Sequence, residues 1–122
     1  MRYLVVGAGG FIGAVARYAV GVWCEMFWRR DFPLATFLVN VTGCFILGLF
    51  LTLAAERLPV DPRLRLFIAT GFVGAYTTFS TFEYETQRLT STGAFGWAIV
   101  NVLTSIVAGY AAVQLGIMLA RR

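Results

Sequence analysis

A chain of 122 residues that is 59% hydrophobic and only 13% charged is too apolar for an ordinary soluble domain, in which charged residues make up about 25%. It has room for one domain, residues 1–122, and is read as an all-α integral membrane protein. With no histidine and only Cys24 and Cys44 as thiols, it lacks the commonest metal ligand and general base and any disulfide framework.

Four apolar segments follow one another, each near the ~20 residues that span a bilayer. The first runs from about Tyr3 to Trp28. It continues past the usual 7–15-residue apolar region of a signal peptide and contains Arg17, so it is read as a span rather than a cleaved leader. Its Gly7, Gly9 and Gly13 mimic a dinucleotide-binding turn. That fingerprint needs alternating strands and helices, and membrane-length apolar runs follow instead. Gly9 and Gly13 fit better as a close helix-packing pair; on the fourth segment, Gly109 and Val113 have the same spacing without a second small residue. The second segment runs from about Pro33 to Ala55, with Pro33 in its first turn and Asp31 as its expected cap. The third, from about Leu64 to Leu89, follows a short loop with Pro59 and Pro62. The fourth runs from about Gly93 to Ala120.

All ten positive charges are arginine, giving a net charge of +4, and most lie at segment ends. They read as membrane-surface anchors, not as a nucleic-acid groove. With four spans, Arg2, Arg57, Arg63, Arg65, Arg121 and Arg122 share one side, and Arg29, Arg30 and Arg88 the other. Six against three leans toward cytoplasmic termini and leaves insertion in both orientations open.

The third segment carries an unusual window, Gly71-Phe72-Val73-Gly74-Ala75-Tyr76-Thr77-Thr78-Phe79-Ser80-Thr81-Phe82. Two glycines and four hydroxyl residues weaken a helix and offer its backbone other partners. A break there would free polar backbone at membrane depth, which must then be buried in protein or line a polar path.

Further polar residues lie in the other segments. Arg17, costing at least ~2.5 kcal/mol at membrane depth, either faces an aqueous vestibule and an anion or braces helix-end carbonyls. Thr36, Asn40 and Gly43 share a helical face, where Asn40 either replaces water around an ion or ties helices together. Phe79 and Phe82, three apart, flank hydroxyls; the positive edges of their rings could favour a small anion. Glu85 is expected at a pore mouth or as a helix cap. Asn101, Thr104 and Ser105 add polar groups to the fourth segment.

Three motifs together resemble the CrcB/Fluc family of small fluoride channels: Gly10-Phe11-Ile12-Gly13-Ala14 with Arg17-Tyr18, then Thr36-Phe37-Leu38-Val39-Asn40-Val41-Thr42-Gly43, then the 71–82 window. The match spans all four segments and is loosest in the fourth. The resemblance implies four transmembrane helices with a break in the third, in an antiparallel, dual-topology homodimer with two fluoride pores in a bacterial membrane. It implies a structural sodium ion at the dimer centre, held by the backbone carbonyls of Gly74 and Thr77 from both subunits. Asn40, Phe79 and Phe82 would line the pores, Ser80 and Thr81 would supply hydroxyls, and Arg17 would sit in the vestibule or brace the third helix. Thr36 and Ser105 complete the expected polar lining, and Glu85 the mouth.

Two other classes compete. A small dual-topology multidrug transporter would need a membrane-embedded carboxylate in the first segment, whose only acid is Glu25, close to Arg29. A non-transporting assembly subunit would use the polar residues for helix association alone. An enzyme is not expected, since no nucleophile–base pair, metal cluster or cofactor motif is present. The residues alone support a small anion in a narrow polar and aromatic path; fluoride comes from the resemblance.

Overall fold

The computed structural model describes all residues, Met1–Arg122, and contains helices only. Helix α1 covers Arg2–Glu25 and α2 covers Leu34–Glu56. The third segment is built from pieces: α3 at Pro62–Arg65, a π-helical stretch at Leu66–Val73, α4 at Gly74–Tyr76 and α5 at Phe79–Ser91. Helix α6 covers Phe95–Arg121. Three helices, α1, α2 and α6, are long and apolar enough to cross a membrane. The expected third span is not one regular helix. Its second half, α5, has 13 residues, about 20 Å at 1.5 Å per residue, and carries Glu83, Glu85, Gln87 and Arg88.

Only 19 of the 122 residues are buried, so most of the apolar surface is left for surroundings other than the chain's own core. Phe11, Val15 and Tyr18 on α1 and Leu103, Ile106 and Tyr110 on α6 all point outward. Backbone proximity replaces a thick core. Gly9 and Gly13 of α1 lie against the carbonyls of Phe67 and Phe72, so that any Cβ would collide with them. Gly71 returns the contact, with room for no Cβ beside the Val6 carbonyl (2.6 Å).

The α2–α6 pair packs similarly. A Cβ on Gly48 would lie 2.5 Å from the Val113 carbonyl, and one on Gly116 would lie 2.5 Å from the Phe45 carbonyl. The small-residue seam of α6 is therefore Gly109, Ala112, Gly116 and Ala120, all buried. Without a hydrophobic drive between helices in lipid, such close van der Waals contact is a main source of association.

Two helix starts differ from expectation. Asp31 caps nothing: α2 begins after Pro33 without a side-chain cap. Instead Leu34 N–H donates to the Phe32 carbonyl (2.9 Å), and the Phe32 ring packs edge-on against Phe37 (5.4 Å between centroids). The capping aspartate is Asp61, whose Oδ1 accepts from Arg63 N–H at 2.7 Å with Pro62 in the first turn. Helix α1 stops at Glu25, before Trp28, whose Nε1 reaches forward to donate to the Phe32 carbonyl (2.7 Å).

Candidate functional site

Between α4 and α5 the backbone leaves helical geometry at two residues, Thr77 (φ −87°, ψ 157°) and Thr78 (φ −150°, ψ 115°). Asn40 of α2 holds this extended pair. Its Oδ1 accepts from Thr78 N–H at 2.7 Å, and its Nδ2 donates to the Thr78 carbonyl at 3.1 Å. The amide therefore pairs with Thr78 as a neighbouring strand would. Asn40 thus ties α2 to the break and still has one N–H left over.

The bonds made at the break decide which carbonyls are left free. In a continuous helix, Thr78 N–H would donate to the Gly74 carbonyl; here it goes to Asn40. Thr81 N–H would donate to the Thr77 carbonyl; here it goes to Thr78 Oγ1 at 3.3 Å, making Thr78 the cap of α5. Gly74 and Thr77 thus each lose the helical donor of their carbonyl oxygen. Thr77 itself still donates to the Val73 carbonyl through both N–H (3.0 Å) and Oγ1 (2.9 Å). Its methyl group occupies the space where a Cβ on Gly43 would stand. Thr42 adds a second tie, 2.9 Å from the Tyr76 hydroxyl.

Thr78 lines cavities on both sides of the break. The larger, about 450 Å³, brings together Arg17, Thr36, Thr81, Glu85 and Arg88. The smaller, about 230 Å³, is lined by Asn40, Gly43, Thr77 and Phe79. Arg17 is half-buried at the larger cavity and forms no ion pair; the chain's one ion pair is Arg121–Glu56. Its expected brace to helix-end carbonyls is absent from the hydrogen bonds around the break. Glu85 is not a cap, since Thr78 takes that position. It instead accepts from Thr36 Oγ1 through Oε1 (2.8 Å), while its buried Oε2 has no partner.

The two phenylalanines part company. Their ring centroids are 5.9 Å apart with planes tilted by 42°, yet Phe82 is only 7% exposed and Phe79 is 74% exposed. Ser80 is exposed beside Phe79.

Ser105 is not at the break. Its Oγ donates to Asn101 Oδ1 (3.4 Å), and Asn101, 1% exposed, donates to Thr86 Oγ1 (2.9 Å), which in turn donates to the Phe82 carbonyl (2.8 Å). Thr104 bonds only its own helix, at the Val100 carbonyl. Asn101→Leu is therefore expected to destabilise the protein by about 1–3 kcal/mol, through lost pairing in a buried network. Thermal unfolding in detergent checks this, and an unchanged midpoint would remove Asn101 from the α5–α6 interface.

Sequence reasoning placed Thr78 in the window but not among the site residues. The signal was there: a hydroxyl residue immediately before α5 is an N-cap pattern. Thr86, one turn beyond Phe82, carried no comparable mark.

A family model described as "CrcB-like protein, Camphor Resistance (CrcB)" matches residues 4–117. A protein of Acidobacterium capsulatum named "Fluoride-specific ion channel FluC" is 49% identical over 122 residues, covering all of this chain and 98% of the relative. One of Solibacter usitatus with the same name is 47% identical, with both chains covered completely. "Fluoride-specific ion channel FluC 1" of Moorella thermoacetica is 43% identical over 121 residues, covering 99% of this chain and 86% of the relative. With its apolar spans, its interrupted third segment and these full-length relatives, this multi-pass protein of a bacterial membrane belongs to the CrcB-like family.

Proposed function

We propose that the protein is a passive, fluoride-selective channel that lets fluoride leave the cell, and is not an enzyme. The observation that carries this reading is the Asn40–Thr78 pair, which keeps extended backbone and free polar groups in an otherwise apolar span. The names of the full-length relatives supply the ion. The Arg17 cavity serves as the vestibule, where the Arg17 guanidinium, which has no ion-pair partner, offers an anion local donors within a lining whose charges otherwise balance. From there the path runs by the hydroxyls of Thr81 and Ser80 and the edges of Phe82 and Phe79, past the remaining Asn40 N–H. Glu85 and Thr36 flank the entrance. Ring edges and single donors favour an anion without holding it tightly, as rapid passage requires. Ser105 contributes indirectly, through Asn101 and Thr86.

The same reading takes the protein as an antiparallel, dual-topology homodimer with two pores. Phe79 and Gly74 are exposed on the single chain, which leaves them available to a second copy. The carbonyls of Gly74 and Thr77 fit a structural sodium ion: they are hard oxygen ligands whose helical donors are engaged elsewhere. Two copies would contribute two such oxygens each. Sodium would supply positive charge that stabilises the facing carbonyls.

Gly74→Val tests the assembly. A Cβ at Gly74 meets nothing closer than the Ala69 carbonyl at 3.9 Å, so the single chain accommodates it. Sodium-dependent dimerisation is expected to be lost while helix content stays normal. Dimerisation that remains normal and sodium-dependent would discard the site. The function is tested by fluoride against chloride efflux from liposomes containing only this protein. Fluoride efflux far above chloride is expected; equal fluxes, or none from folded protein, would overturn the channel reading. Cation–proton exchange instead would indicate the multidrug transporter.

A further inference from the structure

The chain's charge is divided unevenly between its two ends. At the end formed by the start of α1, the α2–α3 loop and the end of α6, six arginines accompany only Glu56 and Asp61. In the other half, Arg17, Arg29, Arg30 and Arg88 are matched by Glu25, Asp31, Glu83 and Glu85. The whole net charge of +4 thus resides at the first end.

Part of that charge is already committed. Arg121 pairs with Glu56 at 2.8 Å, and Arg57 donates to the Arg121 carbonyl. Four arginines remain, and all but the terminal Arg122 converge. Arg2, Arg63 and Arg65 rim a groove of about 950 Å³ whose wall includes Leu51, Val60 and Leu66. Arg2 and Arg63 are exposed, and Arg65 makes only one long bond, from Nη2 to the Ala54 carbonyl at 3.4 Å. The one acid in the groove, Asp61, already accepts from Arg63 N–H and caps α3.

We infer that this groove binds an anionic phospholipid, with its phosphodiester against Arg2, Arg63 and Arg65 and the start of an acyl chain along Leu51, Val60 and Leu66. The chemistry selects this occupant. Guanidinium groups match phosphate oxygens in a two-point geometry. Basic pockets between helices at a membrane surface recognise anionic headgroups. The groove also opens beside the ends of the membrane helices α1 and α2, where lipid headgroups lie. A free phosphate would use the arginines but gain nothing from the apolar wall. This site lies apart from the Arg17 cavity, so the inference does not rest on the channel reading.

Native mass spectrometry of the detergent-solubilised full-length protein, exposed to equal phosphatidylglycerol and phosphatidylcholine, tests it. Retention of phosphatidylglycerol over phosphatidylcholine is expected. Arg63→Gln is expected to reduce that retention roughly fivefold, and Arg2→Gln, which removes no intrachain bond, by a similar factor. Arg29→Gln at the opposite end removes the same charge and is expected to change it less than twofold. Inorganic phosphate at millimolar concentration is expected to leave the lipid bound. Equal retention of the two lipids, equal loss in all three variants, or displacement by inorganic phosphate would each overturn the proposal.

Discussion

Asn40→Asp is expected to stop fluoride flux almost completely. The aspartate keeps the acceptor for Thr78 N–H but loses the donor to the Thr78 carbonyl, where an oxygen now faces an oxygen across a 3.1 Å contact. Leaving that carbonyl unpaired costs about 1–3 kcal/mol. Any ionised fraction adds a negative charge beside the path. At about 4 Å and an effective dielectric of about 20, that charge opposes a passing anion by about 4 kcal/mol, on the order of a thousandfold in rate. Initial fluoride efflux per folded protein, measured alongside thermal stability, separates the two effects. A stability loss with normal flux would leave Asn40 as a brace only, and unchanged values for both would contradict the Thr78 pairing itself.

Phe82→Ile and Phe79→Ile are expected to share one phenotype and differ in another. Isoleucine keeps an apolar side chain but has no ring quadrupole, so each variant should lose most of its fluoride flux, at least tenfold, if the ring edges stabilise the ion by about 1.4 kcal/mol or more. Stability should diverge. Phe82 is buried and sits above the Thr86–Asn101 network, so its replacement is expected to cost about 1–3 kcal/mol through poor shape match. Phe79 is 74% exposed on the single chain, and its replacement should leave the folded chain within about 0.5 kcal/mol of the parent. Efflux normalised to folded protein, together with unfolding in detergent, provides both readouts. Normal flux in both variants would remove both ring edges from the ion path.

The sequence by itself determined the class of the protein. Apolar runs of bilayer length, few charges and short loops leave an all-helical membrane protein as the economical solution, because in lipid each backbone polar group must be satisfied by the protein itself and a helix does so within one segment. The ordered motifs carried the family, and full-length relatives agree with it. Helical spacing also placed Thr36, Asn40 and Gly43 on one face, and all three meet the third segment. Spacing says which residues share a face but not what lies opposite. Only the tertiary structure set Asn40 against both backbone groups of Thr78, separated Ser105 from the break, and made Glu85 a partner of Thr36 rather than a cap. It also divided Phe79 from Phe82, which are neighbours on one helix: Phe82 faces inward and is covered, while Phe79, at the first residue of α5, lies where the chain has just turned and nothing of its own covers it. The caps teach the same lesson at short range. Asp31 and Asp61 both precede a proline, but only Asp61 stands next to one, and Phe32 draws the backbone after Asp31 into a turn stabilised by aromatic packing.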